Sequence, residues 1–124
     1  MPKTRPKYLN LFEIRLPVPG LVSILHRITG AGLFRLIPLM LYLLQSSLQT
    51  PQSFAVFKGL LGHPLMKLIL IGLVWAYLLH LCAGIRHLAL DLHFGTELAT
   101  ARASSWAVLA VSIGLTLIFG ALIW

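Results

Sequence analysis

From Lys67 to Asp91 the chain reads KLILIGLVWAYLLHLCAGIRHLALD, apolar for long enough to cross a bilayer, yet with two histidines, an arginine and an aspartate in its second half. About 20 predominantly apolar residues span a membrane as a helix. Ionisable side chains inside such a span are costly and rare. They face a protein interior or a water-filled cavity and mark function. At about 100° per residue, His80, Gly84, His87 and Asp91 fall within roughly 60° of one another and form a single stripe. His80 lies near the middle of the run; His87 is about 10 Å and Asp91 about 16 Å further along the axis. Gly84, between the two histidines, leaves a gap for a flat ligand or a neighbouring backbone. Arg86 points about 120° away from His80.

Composition places the rest of the chain in the same solvent. Of 124 residues, 58% are hydrophobic and 10% charged, against about 25% charged in soluble domains. There is no polar shell for a water-soluble core, and the apolar runs are too long and unalternating for a β-barrel. The expectation is an all-α membrane protein. The net charge of +7, ten Lys and Arg against three acids, would suggest nucleic acid in a soluble protein. Here the basic residues cluster at the N-terminus and beside apolar spans, which points to topology and anionic lipid, not to nucleic acid. The single cysteine, Cys82, excludes an intrachain disulfide and reads as a small buried hydrophobe.

Residues 1–20 read as a basic arm, without the short apolar segment of a secretory signal or an Arg- and Ser-rich leader. Pro17 and Pro19 disfavour helix before Gly20. A first span is expected over about 21–48, with Pro38 inside it, a tolerated feature in membrane helices. Residues 49–63 form a connection whose apolar part suits a short interfacial helix. Pro64 opens a second span over about 64–92. A polar turn over 93–102 precedes a third span over about 104–124, uncharged and with Trp at both ends, as aromatic belts predict. Residues 21–124 thus form one three-helix transmembrane domain.

Three spans put the N-terminus and the 93–102 turn on one side, with Lys3, Arg5, Lys7, Arg15 and Arg102. The opposite side has Lys58 and Lys67. The positive-inside bias makes the N-terminus cytoplasmic. The first helix then carries Ser23, His26 and Arg27 near the cytoplasmic face, and the second brings His87 and Asp91 toward the same face. In SILHRITG, residues 23–30, Ser23 and Arg27 share a face, and a guanidinium offers five fixed donors to carboxylates or to polar ligand atoms. The plainer alternative is an arginine snorkelling to lipid phosphate. His80 at mid-membrane has three readings: a neutral imidazole bonded to another helix, a proton relay, or an axial ligand of haem iron. A haem would need a second ligand from another copy or another chain, because no other span carries a mid-membrane histidine. His63 and His93 flank spans and read as solvated, no zinc spacing or nucleophile–base pair is readable, and Arg35 has no evident partner.

SILHRITG and HLCAGIRHLALD, in this order and preceded by FEIRLPVPG, resemble the cytochrome b membrane-anchor subunits of succinate dehydrogenase, and the resemblance covers nearly the whole chain. It implies half of a haem-binding helix bundle, completed by a second three-helix anchor subunit. The pair would hold one haem b and dock iron–sulfur and flavoprotein subunits, with electrons from succinate reaching ubiquinone where the anchors meet the iron–sulfur subunit. Carried over by motif, His80 would be one axial haem ligand. His26 and Arg27 would contact the haem propionates, Ser23 and Arg27 would line the ubiquinone site, and Asp91 would lie near its proton route. Gly84 would clear the porphyrin edge, His87 stays open, and Arg35 departs from the family pattern. A chain of this kind takes part in an enzyme without being catalytic alone, in the bacterial inner membrane in preference to the mitochondrial one. Two other readings stand beside it: the anchor of a quinol:fumarate reductase, and a haem-free scaffold or proton-relay subunit using His80 and Asp91.

Overall fold

In a computed structural model, which describes Thr4 and residues 15–124, four helices follow one another: α1 (Val18–Ser47), α2 (Pro51–Gly62), α3 (Pro64–Asp91) and α4 (Leu98–Ile123). Among the described residues there is no strand. α1, α3 and α4 are each long and apolar enough to cross a membrane. Lys3, Arg5 and Lys7 of the expected basic arm lie outside the described residues.

Local chemistry sets the helix ends. α1 begins at Val18, ahead of the expected start near Gly20, because Pro19 falls in its first turn, where a missing amide hydrogen costs nothing. The Pro17 carbonyl accepts the Leu21 amide at 3.0 Å. α1 then runs to Ser47 through Pro38 without interruption. In α2, Thr50 and Ser53 form a reciprocal capping box, each side chain accepting the other's backbone amide at 3.0 Å, with Pro51 as first residue. This is the short helix expected within the 49–63 connection, and it buries no residue. His63 caps α3, its Nδ1 accepting the Leu65 amide at 3.2 Å.

α3 ends in a Schellman motif. The Phe94 amide donates to the Ala89 carbonyl and the His93 amide to the Leu90 carbonyl, both at 2.9 Å, with His93 itself left-handed at φ 64°. Glycine is the usual residue there; here Gly95, at φ 70°, comes two residues later. The turn is shorter than 93–102 because α4 starts at Leu98, not near Ser104. Its first turn takes in LATAR, whose alanines and leucine favour helix.

α3 packs against both α1 and α4, which also touch each other. Both α3 pairs are antiparallel. Gly30 meets His80 while His26 meets Gly84, and Arg86 meets Ser104 while Ile71 meets Gly120. Val22, Leu79, Ala83 and Val108 form the buried core where the three helices converge, with Trp75, Cys82 and Leu109 against it. α4 turns Ser105, Val108, Ser112 and Thr116 inward. The three hydroxyls donate to carbonyls of their own helix, at 2.7, 3.1 and 2.6 Å. Small residues of this kind let helix backbones approach in the absence of a hydrophobic driving force.

Candidate functional site

Most of the polar stripe of α3 packs against α1. His80, Gly84 and His87 turn toward α1, where His26, Thr29 and Gly30 receive them. The His26 and His80 rings stack with centroids 4.3 Å apart and planes 7° from parallel. The His87 ring also packs against His26, centroids 4.9 Å apart and tilted by 46°. One histidine of α1 thus contacts two histidines of α3.

Glycines make this interleaving possible. A Cβ on Gly30 would stand 2.7 Å from His80 Cε1, so the ring presses against bare α1 backbone. A Cβ on Gly84 would come 3.4 Å from His26 Nε2. The gap expected at Gly84 is therefore bordered by a side chain of α1. Each helix supplies a histidine and a glycine, and each glycine faces the other helix's histidine.

His80 is the most constrained of the three. Its Nδ1 is 3.0 Å from the His26 carbonyl oxygen and 3.3 Å from Thr29 Oγ1. A carbonyl only accepts, so Nδ1 carries the hydrogen and donates. In the neutral imidazole this leaves the lone pair on Nε2, the tautomer suited to binding a metal. Among the described residues, the sealed nitrogens without a partner are His87 Nε2 and Trp75 Nε1, not His80 Nε2. Among the described residues, too, no group of three or more His, Cys, Asp or Glu could hold a bare metal ion. The donor chemistry fits a group that takes one imidazole from this chain and carries most of its other ligands itself, as the porphyrin of a haem does.

The other expected site residues lie around this cluster. Ser23 is half-buried on α1, about 4.5 Å before His26 along the axis. Arg27 is exposed on α1 and Asp91 is exposed at the end of α3, so neither joins the histidine cluster within this chain. Arg35 is exposed on the outer side of α1. His63 and His93 are exposed as expected, and both serve helix ends.

Sequence reasoning passed over Thr29 and Gly30, and gave Arg86 a direction but no partner. Thr29 and Gly30 follow the His26–Arg27 pair after Ile28, and the helical repeat places Gly30, four residues on, over the His26 face. Arg86 is buried, 8% exposed, with Nε donating to Ser104 Oγ at 2.9 Å and Nη2 to the Ala101 carbonyl at 3.4 Å. Its 120° offset from His80 is what turns it to α4. A cavity of about 190 Å³ lies beside it, bordered by Ile85, Ala89, Phe94 and Ser104.

Comparison with known proteins finds relatives along nearly the whole chain. The family described as succinate dehydrogenase/fumarate reductase transmembrane subunit matches residues 1–119. The succinate dehydrogenase cytochrome b556 subunit of Coxiella burnetii is 40% identical over 121 residues, 97% of either chain. That of Paracoccus denitrificans is 37% identical over 114 residues, 92% of this chain and 88% of the relative. That of Rickettsia felis is 31% identical over 114 residues, 92% of this chain and 89% of the relative. A match of this extent, on a three-span helical chain with a histidine cluster between its first two spans, establishes that the chain belongs to the succinate dehydrogenase/fumarate reductase transmembrane subunit family.

Proposed function

We propose that this chain is the haem-binding membrane anchor of a succinate:ubiquinone oxidoreductase and forms part of its ubiquinone-reduction site. The observation that carries the reading is the His80 imidazole, held at Nδ1 by the His26 carbonyl with Nε2 left free near mid-membrane. The relatives are named as cytochrome b556 subunits of succinate dehydrogenase, which favours succinate oxidation over the fumarate-reducing direction. A b-type haem supplies a one-electron store inside the membrane. His80 would be one axial ligand, and a second three-helix anchor would bring the other. The large apolar residues exposed on α1, among them Phe34, Ile37, Leu41 and Tyr42, give such a partner a surface to cover.

His26 and Arg27 would meet the haem propionates, where an ionised donor makes a strong hydrogen bond to a carboxylate. Ser23 and Arg27 would donate to a ubiquinone carbonyl, and the guanidinium would stabilise negative charge developing on that oxygen. Asp91, at the cytoplasmic end of α3, would pass protons toward it. The Lys and Arg bias puts the N-terminus and the α3–α4 turn on the cytoplasmic side of a bacterial inner membrane. Iron–sulfur and flavoprotein subunits would dock on that side.

The test is made on the purified complex. His80→Ala is expected to abolish or displace the reduced b-type haem band, and an unaltered band and haem content would sink the ligand assignment. Ser23→Ala and Arg27→Leu are expected to lower ubiquinone reduction by about tenfold or more, while succinate oxidation by an artificial acceptor persists. Full ubiquinone activity in both variants would move the pocket elsewhere.

A further inference from the structure

We infer that Thr29 is a positioning residue for the His80 imidazole and sets the electron-donating strength of its free nitrogen. The inference rests on His80 being a haem ligand and extends that reading to the residue behind it.

Three contacts hold the His80 ring. The stacked His26 ring covers its face. The α1 backbone at Gly30 abuts its Cε1 edge so closely that a methyl group would collide. At Nδ1 two oxygens converge, the His26 carbonyl at 3.0 Å and Thr29 Oγ1 at 3.3 Å. The Thr29 hydroxyl has a single hydrogen. Its nearest acceptor is the Leu25 carbonyl at 2.8 Å, with the His26 carbonyl at 3.1 Å. Directed to Leu25, that hydrogen leaves an oxygen lone pair facing His80 Nδ1. The Nδ1–H then donates to two acceptors at once.

The chemical consequence follows from the ring. Drawing the Nδ1 proton toward acceptors raises the basicity of the opposite nitrogen and fixes the ring's orientation. A more strongly donating ligand favours the oxidised state of a bound iron and lowers its midpoint potential. Loss of the Thr29 oxygen leaves the carbonyl alone at Nδ1, so the potential rises. Thr29 is itself buried, 9% exposed, so no bulk water replaces the missing acceptor. The remaining contacts, the His26 ring and the Gly30 backbone, hold the ring in place without the hydroxyl.

The experiment is a redox titration of the b-type haem band in the intact complex in its native membrane. Thr29→Val keeps the shape and removes the oxygen; Thr29→Ser keeps the oxygen and removes the methyl. Thr29→Val is expected to retain haem and to raise the reduced-to-oxidised ratio at fixed potential about threefold, an upward shift of about 28 mV for one electron. Thr29→Ser is expected to titrate like the parent. Thr29→Ala repeats the test in case the valine branch disturbs helix packing. Titration of Thr29→Val and Thr29→Ala at the parent's potential overturns the inference, as does a Thr29→Ser shift as large as theirs. His80→Ala runs alongside: a normal band there means that the ligand reading has failed. A lost or displaced band, together with unshifted Thr29 variants, means that only the role of Thr29 has failed.

Discussion

At the scale of single residues, the histidine cluster depends on an atom that is missing. Gly30 has no Cβ, and a Cβ there would lie 2.7 Å from His80 Cε1. Gly30→Ala therefore forces either the ring or α1 to move, and overpacking of this kind costs about 1–3 kcal/mol. The expected outcome is a lower midpoint of thermal unfolding for the solubilised complex, measured against Gly32→Ala, where a Cβ meets nothing within 4 Å. Equal midpoints would show that His80 has slack the structure does not indicate. His93 offers the opposite experiment. It occupies a left-handed position at φ 64°, which costs an L-residue roughly 1–2 kcal/mol relative to glycine. His93→Gly should leave the fold intact and stabilise it by up to about 1 kcal/mol, because glycine's greater freedom in the unfolded chain offsets part of the gain. A lower midpoint of unfolding would mean that the His93 side chain has a role beyond ending α3.

At the scale of helices, the spans were legible because a bilayer imposes a length on apolar runs. The runs around Leu33, Leu73 and Val111 all belong to helices that meet it. Their ends were less legible. Pro17 and Pro19 both read as breakers, yet one caps α1 and the other sits in its first turn. The Leu98–Arg102 stretch reads as polar by charge and as helix by propensity, and the helix prevails. Periodicity put His80, Gly84 and His87 on one face of α3 but could not say which helix that face would meet. That awaited the pairing of α1 with α3, the step that also exposes Thr29 and Gly30. Arg86 clasps α3 to α4, its planar fork reaching both Ser104 and the Ala101 carbonyl. A lysine ammonium has neither that geometry nor as low a cost of dehydration. An apolar side chain of similar length removes the charge with its penalty. Arg86→Lys is therefore expected to lower thermal stability more than Arg86→Met, and the reverse order in a melting experiment would contradict a clasp of this geometry.

For the whole molecule, three spans and a surface helix leave α2 on one side of the membrane and the α3–α4 turn on the other. With Cys82 replaced by alanine the chain has no thiol, so single cysteines report sidedness. Gln52→Cys, on exposed α2, should react with an impermeant thiol reagent in intact cells. Thr96→Cys, in the exposed turn, should react only once the inner membrane is opened. The opposite pattern would invert the orientation that the Lys and Arg bias indicates. Among the described residues the buried core is small, four aliphatic side chains at the meeting of three helices. Most large apolar residues stand on the outside, which is normal where lipid or a companion bundle covers them.

The reciprocal pairing of His26 with Gly84 and His80 with Gly30 acts as a vernier between the first and third helices. Both notches engage at one offset; a slip of a single helical turn, about 5.4 Å, would bring a side chain against each ring. The axial position of His80 against α1 is thereby set by the protein and not borrowed from the lipid. In a thinner or thicker bilayer the two helices must lean as one body, carrying the His80 imidazole with them, while its place relative to His26 stays the same.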